Sequence, residues 1–497
     1  MTKIIETKIN RFDGGMVNDG RDPATNVAQV IQHFDPLTRP HRLVPNVSPE
    51  DGNADQTTQG IRQMLYYNGS VFGTAILLSP PAIYKRSDFS GNTWTALTNG
   101  ADSSGTWNPN VFVEYKGYAY GWRSDTAIWK ADLADSVAFV TSDVSIAGVG
   151  IQGLIHSKDD ILYMPYNVSG GGKIAKNNNG SWTAAAITLP TAMSITSICE
   201  YGNFIAIACK PLYFGKSVVY LWDRDSSLTT LSESIDFGVG DLTIIEEIDG
   251  YLIGVSLVSA NVLFPKVVFR RYSGAGGAQV FKELYASGAA NFSLKGGQKF
   301  NNRLYFLLGI TIAGSLYQGV WAVGRSSTTN EFAVYFSHDP VLSGGSVISS
   351  GGLVAFKLIG DYMFIAYSDG ADKMSKTNDS PSAASGYNIS SIYESQIFNS
   401  GDSSNKKDLI GVTVFYDALP ANGQIVLKYK IDAETSWTTI FTDGTDNAIS
   451  HSAINIESSG AKITDFKEIR FRIESTGGAE ITGFSFKTEE TGKRLYD

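Results

Sequence analysis

The sequence predicts an all-β protein: a β-propeller of about seven blades, with six as the alternative count, then a C-terminal β-sandwich, with an extended N-terminal arm in front. Three observations predict it. The composition is rich in Gly (51), Tyr (24) and Phe (26), which suits many turns and many half-buried aromatic strands. A strand–turn–strand unit recurs through the middle of the chain, and after Ser385 the texture changes to strict period-two alternation. Apolar residues at helical spacing are scarce, apart from a short helix expected near Asn26–His33.

The arm covers residues 1–58. Its segment "INRFDGGMVNDGRDP" is polar, rich in Gly and Asp, and lacks apolar periodicity. Pro23, Pro36, Pro40, Pro45 and Pro49 then confine the backbone to extended or turn conformations. Such a segment is ordered by contacts made elsewhere, either on its own propeller or on a neighbouring subunit. Its apolar anchors, Phe12, Phe34, Leu37, Leu43 and Val44, are the candidate assembly residues.

The propeller covers residues 59–385. Its repeated cores read "MLYYNGSVFGTA", "VFVEYKGYAYGW", "LIHSKDDILYMP", "ICEYGNFIAIAC", "IEEIDGYLIGVS", "QKFNNRLYFLLG" and "FKLIGDYMFIAY". The first apolar residues after the turns are Val71, Tyr118, Ile161, Phe204, Tyr251, Leu304 and Tyr362, at gaps of 47, 43, 43, 47, 53 and 58. That period accommodates a four-stranded antiparallel sheet with its turns. Asn68-Gly69, Lys116-Gly117 and Asp249-Gly250 supply the positive φ angles of two-residue hairpins. Packed radially, each sheet covers its neighbour's face and leaves few edges exposed.

The sandwich covers residues 386–497. Val412/Val414/Tyr416, Ile425/Leu427/Tyr429 and Ile469/Phe471/Ile473 are the predicted inward sets, with turns at Asn422-Gly423 and Gly477-Gly478. Lys428, Lys430, Arg470 and Arg472 fall on the outward positions, read as a solvated face.

Charge and motifs narrow the function. A net charge of −9 argues against a general nucleic-acid binder, though not against DNA passing an acidic lumen. Cys199 and Cys209 read as buried free thiols. No stretch reaches signal-peptide or membrane-span character, so a cytosolic origin is expected. The histidines, His33, His41, His156, His338 and His451, show no metal-ligand spacing, and no metal site is expected. Gly148-Val-Gly150-Ile-Gln-Gly153 matches G-x-G-x-x-G, but a hairpin rather than a helix is predicted to follow, and "FGVGDL" repeats the pattern, so cofactor binding is not expected. Three D-G-x-D turns, Asp19–Asp22, Asp369–Asp372 and Asp443–Asp446, read as β-turns rather than calcium sites. "SDFSGNTW" at 87–94 comes near a sialidase-type turn with Phe89 at the aspartate position, and "NNNGSW" at 177–182 is a looser echo. Neither brings an arginine cluster with a tyrosine and acid pair, so no catalytic residues and no enzyme activity are expected.

The arm, "INRFDGGMVNDGRDP" with "HFDPLTRPHRLVP", and the close, "KEIRFRIESTGGAEITGFSFKTEE", resemble structural tail proteins of tailed bacteriophages, most closely the tail hub or nozzle proteins of short-tailed phages. These stretches cover about sixty residues; the propeller shares only architecture. The resemblance implies a structural virion protein of the phage tail, assembled in the host cytoplasm as a homohexameric ring. That ring would sit below the portal and adaptor (the head-to-tail connector), hold tip or fibre proteins, and let DNA pass without specific binding. It implies no cofactor and no catalytic residue. Another tail or baseplate component, or a receptor-facing one, is the nearest alternative; a glycan-binding or glycan-hydrolysing propeller is the more distant one.

Overall fold

The computed structural model describes residues 4–16, 28–39, 41–46, 49–50, 61–75, 82–86, 94–101, 108–123, 126–134, 140–213, 215–227, 231–258, 265–287, 293–312, 314–340, 352–360, 362–368, 372–377, 390–399, 405–454, 457–458 and 461–491. Among these there is no helix; the chain is all-β. It divides into two compact units. One comprises residues 49–320 and 339–377, and the other residues 1–48, 321–338 and 378–497.

The first unit is a β-propeller array of small antiparallel sheets. Each of the seven sequence cores is a hairpin, beginning with Ile61–Tyr67 paired to Ser70–Ala75 and ending with Leu353–Ile359 paired to Tyr362–Ser368. Turn chemistry explains the hairpins. Asn68, Gly69, Lys116, Gly117, Asp249 and Gly250 all have φ between 44° and 85°, the mirror-image turn that matches strand twist. An acceptor on the incoming strand secures the glycine: Gly117 N donates to Glu114, and Gly250 N to Glu247.

The hairpins pack face to face in chain order, as strands with near-continuous apolar runs must when both faces need cover. Leu65, Phe72 and Ile83 of the first sheet meet Phe112 and Trp129 of the second. Trp122 and Ile128 of the second meet Leu162 and Met164 of the third. Ile174 and Tyr163 meet Ile205 and Trp222 of the fourth, whose Val219 and Ala208 meet Leu242 and Leu252 of the fifth. Phe364 and Ala366 of the last hairpin pack on Ile61, Met64 and Val71 of the first. The strands that begin the hairpins adjoin in the same way: Ile61–Tyr67 lies beside both Asn108–Tyr115 and Leu353–Ile359.

The second unit is a sandwich of two sheets. One has the strand order Ile4–Ile9, Ile481–Glu490, Lys407–Tyr416, Ser450–Ile454. The other includes, as successive neighbours, Phe332–His338, Ala28–Gln32, Ser391–Ser395, Ile469–Thr476, Gln424–Ile431 and Thr438–Asp443. Every member of the three predicted inward sets is buried. Phe471, Phe484 and Phe486 form the aromatic centre, with ring centroids 4.8–5.8 Å apart.

One sequence expectation needs revision. The helix expected near Asn26–His33 is a strand over Ala28–Gln32, pairing antiparallel with Ser391–Ser395 across a bulge between Ala28 and Val30. Its apolar spacing is too short to separate the two periods, and the non-local partner decides. Residues 1–58, which fit neither domain by sequence, supply strands to both units. Ile4–Ile9 and Ala28–Gln32 enter the two sandwich sheets, and Pro49–Glu50 pairs with Asp372–Thr377 of the propeller unit.

Candidate functional site

In the propeller unit, the ends of several inner strands surround a cavity of about 430 Å³, within the ordinary range of small-ligand sites. Leu65, Tyr66, Phe112 and Ile359 give it an apolar lining; Glu114, Gln152, Gln298 and Lys357 give it polar groups.

The two glutamines are structural clamps. Gln152 Oε1 accepts from Phe112 N at 3.0 Å, and its Nε2 donates to Phe112 O at 2.9 Å. Gln298 makes the same pair with Leu358 N and O, both at 3.0 Å. Asn167 repeats the device on Ile195. Each amide substitutes for a strand edge, satisfying main-chain groups that neighbouring sheets leave unpaired. The cavity wall is therefore preformed, and the glutamine amides are already engaged.

Lys357 differs. It is half-buried, burial pushes its ammonium below the ordinary lysine range, and among the described residues it has no hydrogen-bond or ion-pair partner. Glu114 is the carboxylate of the lining and accepts the Gly117 N–H at 2.8 Å. Further along the inner strands, Glu246 is pushed up to about 7 by burial, against the Glu247 N–H it accepts and the Lys299 charge, with smaller upward pushes from the Glu247 and Glu200 carboxylates. Lys299 itself pairs with Glu247.

The five arm anchors lie in the sandwich unit. Phe12, Phe34 and Leu43 are fully buried within the same chain; Leu37 and Val44 are half-buried. The Phe12 ring meets Tyr393 edge-on at 5.2 Å. Leu43 exchanges main-chain hydrogen bonds with Ile481. Gly15 is dictated by contact: its φ is +68°, and a Cβ would stand 2.6 Å from Val334 N.

The glycines of the G-x-G-x-x-G stretch are closely packed. A Cβ on Gly150 would fall 1.8 Å from the Trp122 ring and one on Gly153 2.7 Å from Tyr163 O, and a strand, Leu154–His156, follows. Trp182 Nε1 donates to Asp143 at 2.7 Å, with its ring against Tyr120. In the turn at Asp443–Asp446, the Asp443 carboxylate accepts from Tyr416 Oη and Thr445 N. Asp19–Asp22 lies outside the described residues, as do Asp369–Ala371 of the second such turn and 87–93 of the sialidase-like stretch. Cys199 and Cys209 are both free and buried. His33, His156 and His338 are buried, and His451 stands 3.3 Å from Asp443.

The outward cations are partly engaged. Lys428 and Arg472 share Glu474, Arg472 also reaches Glu394, Arg470 meets Gln29, and Lys430 lies 4.5 Å over Trp437. Sequence reasoning missed the glutamine clamps and Lys357. One signal was available: both glutamines interrupt otherwise apolar or glycine-rich starts of repeat units.

No protein-family model and no curated protein matches the sequence. Among solved structures, the chain is similar to the Neurospora crassa Pan2 WD40 domain, at 10% identity and a TM-score of 0.37, over 65% of this chain and 90% of that one. It is also similar to a glycoside hydrolase, at 9% identity and a TM-score of 0.25, over 88% of this chain and 100% of that one. At these scores neither likeness adds to what the sheets themselves establish.

Proposed function

We propose that the chain is a structural protein of a bacteriophage tail, a hub or nozzle subunit that assembles into a homohexameric ring. One observation supports this reading above the others. The N-terminal segment is woven through the sandwich unit, with Ala28–Gln32 placed between Phe332–His338 and Ser391–Ser395. A strand inside a sheet cannot leave without breaking hydrogen bonds on both sides, so the flanking segments are locked together. Such locking suits a part that bears load, and a small mobile catalytic scaffold has no need of it.

On this reading the ring meets the adaptor on one side and tip or fibre proteins on the other. DNA passes its lumen without sequence-specific contacts, in keeping with the net charge of −9. The ring belongs to the virion and is assembled in the host cytoplasm. Phe415, in the strand Lys407–Tyr416, and Ile449, just before the adjoining strand Ser450–Ile454, are 43% and 66% exposed and are the apolar positions that an assembly contact would cover.

Native mass spectrometry and negative-stain imaging of the purified chain test the proposal. A particle six times the 53.7 kDa chain mass, with a channel wide enough for duplex DNA, is expected, and Phe415→Lys with Ile449→Lys weakens it. A chain that stays monomeric at all concentrations, or one that hydrolyses glycans, overturns it.

A further inference from the structure

We infer that the propeller cavity is a binding site for a small monocarboxylate with an apolar body, held by Lys357. The inference goes beyond the assembly reading and does not depend on the ring. The chemistry of the lining selects the ligand class. Leu65, Phe112 and Ile359 offer apolar surface, and about 430 Å³ holds a molecule of roughly ten to twenty heavy atoms.

Polar selection comes from what is left unspent. Gln152 and Gln298 have both ends of their amides on main-chain groups, and Glu114 accepts a turn N–H. Lys357 is the cation of the lining, and its ammonium has no partner among the described residues. A desolvated ammonium costs stability unless an anion meets it, so the empty-handed lysine is a strained group that a carboxylate relaxes. A phosphate dianion is best matched by several cations, and the lining supplies one, Lys357. The Glu114 carboxylate in the same lining also disfavours a doubly charged ligand, leaving the single negative charge as the best match.

The test uses the full chain with benzoate as probe and inorganic phosphate and benzamidine as controls, followed by calorimetry. Saturable benzoate binding in roughly the millimolar range or tighter is expected, weakened about 10-fold or more by Lys357→Met. Lys357→Met removes a half-buried charge and should melt no lower than the parent; Lys357→Gln serves if it fails to fold. A second readout is independent of both variants. In the reductively ¹³C-methylated chain, the Lys357 resonance should titrate below the ordinary lysine range and move upward when benzoate is added. No saturable binding, binding unchanged by the substitutions, tighter binding of phosphate or benzamidine, or a Lys357 titration indifferent to benzoate each overturns the inference.

Discussion

In the propeller unit, Tyr67 pairs with Ser70 across a two-residue turn; in the sandwich unit, the Ser391 hydroxyl reaches the His33 carbonyl 358 positions away. Both units are largely antiparallel sheets with aromatic cores, yet they are assembled by opposite kinds of contact. Local pairing closes short loops at little entropic cost, so each hairpin can form before its neighbours do. The sandwich needs three distant segments at once. The difference teaches where stability is concentrated: in the propeller it is spread over repeated interfaces, while in the sandwich a few anchors hold the topology together.

The largest effect should therefore come from an anchor. Phe12→Ala removes a fully buried ring that packs edge-on against Tyr393. A loss of about 3–5 kcal/mol is expected, read from denaturant unfolding of the isolated chain. If the isolated chain is unaffected, the arm is held by something other than its own sandwich unit, and the comparison breaks. Gly150→Ala is the propeller counterpart. Its Cβ would overlap the Trp122 ring, and about 3 kcal/mol of overpacking should appear in the thermal transition. A smaller loss would mean that the indole can swing aside, and that the repeated interfaces are softer than the sandwich core.

The same contrast decides what the sequence reveals. The hairpins are legible because their information is local: Asn68-Gly69 and Asp249-Gly250 announce positive φ angles where the structure has them. The inward sets of the sandwich are legible because a buried face imposes period two on its own strand. Ala28–Gln32 is not legible, because five residues cannot hold a period and the partners lie far along the chain. The assignment of Trp321–His338 to the same unit as the termini is hidden for the same reason. The candidate cavity is legible only as apolar strand ends. Its clamps are polar residues whose meaning depends on which main chain they face, and Lys357 looks like any outward strand lysine.

Two middle-sized effects probe how sheets are joined in the propeller. Gln298→Ala leaves Leu358 N and O without their side-chain partners and should cost about 2 kcal/mol in chemical denaturation. Gln298→Glu cannot donate to the carbonyl and should recover little of that loss; full recovery would show that the clamp is steric rather than hydrogen-bonded. Glu246 gives a pH signature. Its folded pKa is raised from the ordinary 4.5 to about 7. Between these values the unfolded chain has released the proton while the folded chain keeps it, so stability must fall as pH rises through this window. Water at its half-exposed side chain trims the effect to about 1–2 kcal/mol. Melting curves at pH 5 and pH 8 should show the drop, and Glu246→Gln should abolish it. A drop that survives the substitution points to another group.

The smallest effect is the most discriminating for the arm. Arg39 reaches both oxygens of Glu480 at 2.9 Å, and Arg42 pairs with Asp417 and, at 3.4 Å, with Glu480, so two arm arginines meet two sandwich carboxylates. By count these are the arm's most conspicuous links. By physics they are weak: Arg39 is 54% exposed and Asp417 43%, so water screens the charges and two long side chains lose rotamer freedom. Arg39→Ala with Arg42→Ala should cost under about 1 kcal/mol at low salt, and most of that should vanish near 1 M salt. The Phe12→Ala loss should persist at the same salt, because burial of a ring carries no charge to screen. Equal salt sensitivity in the two variants would mean that charge, rather than the buried anchors, fastens the arm. In that case the sandwich would be held at its surface, and its contrast with the propeller would reduce to sequence distance alone.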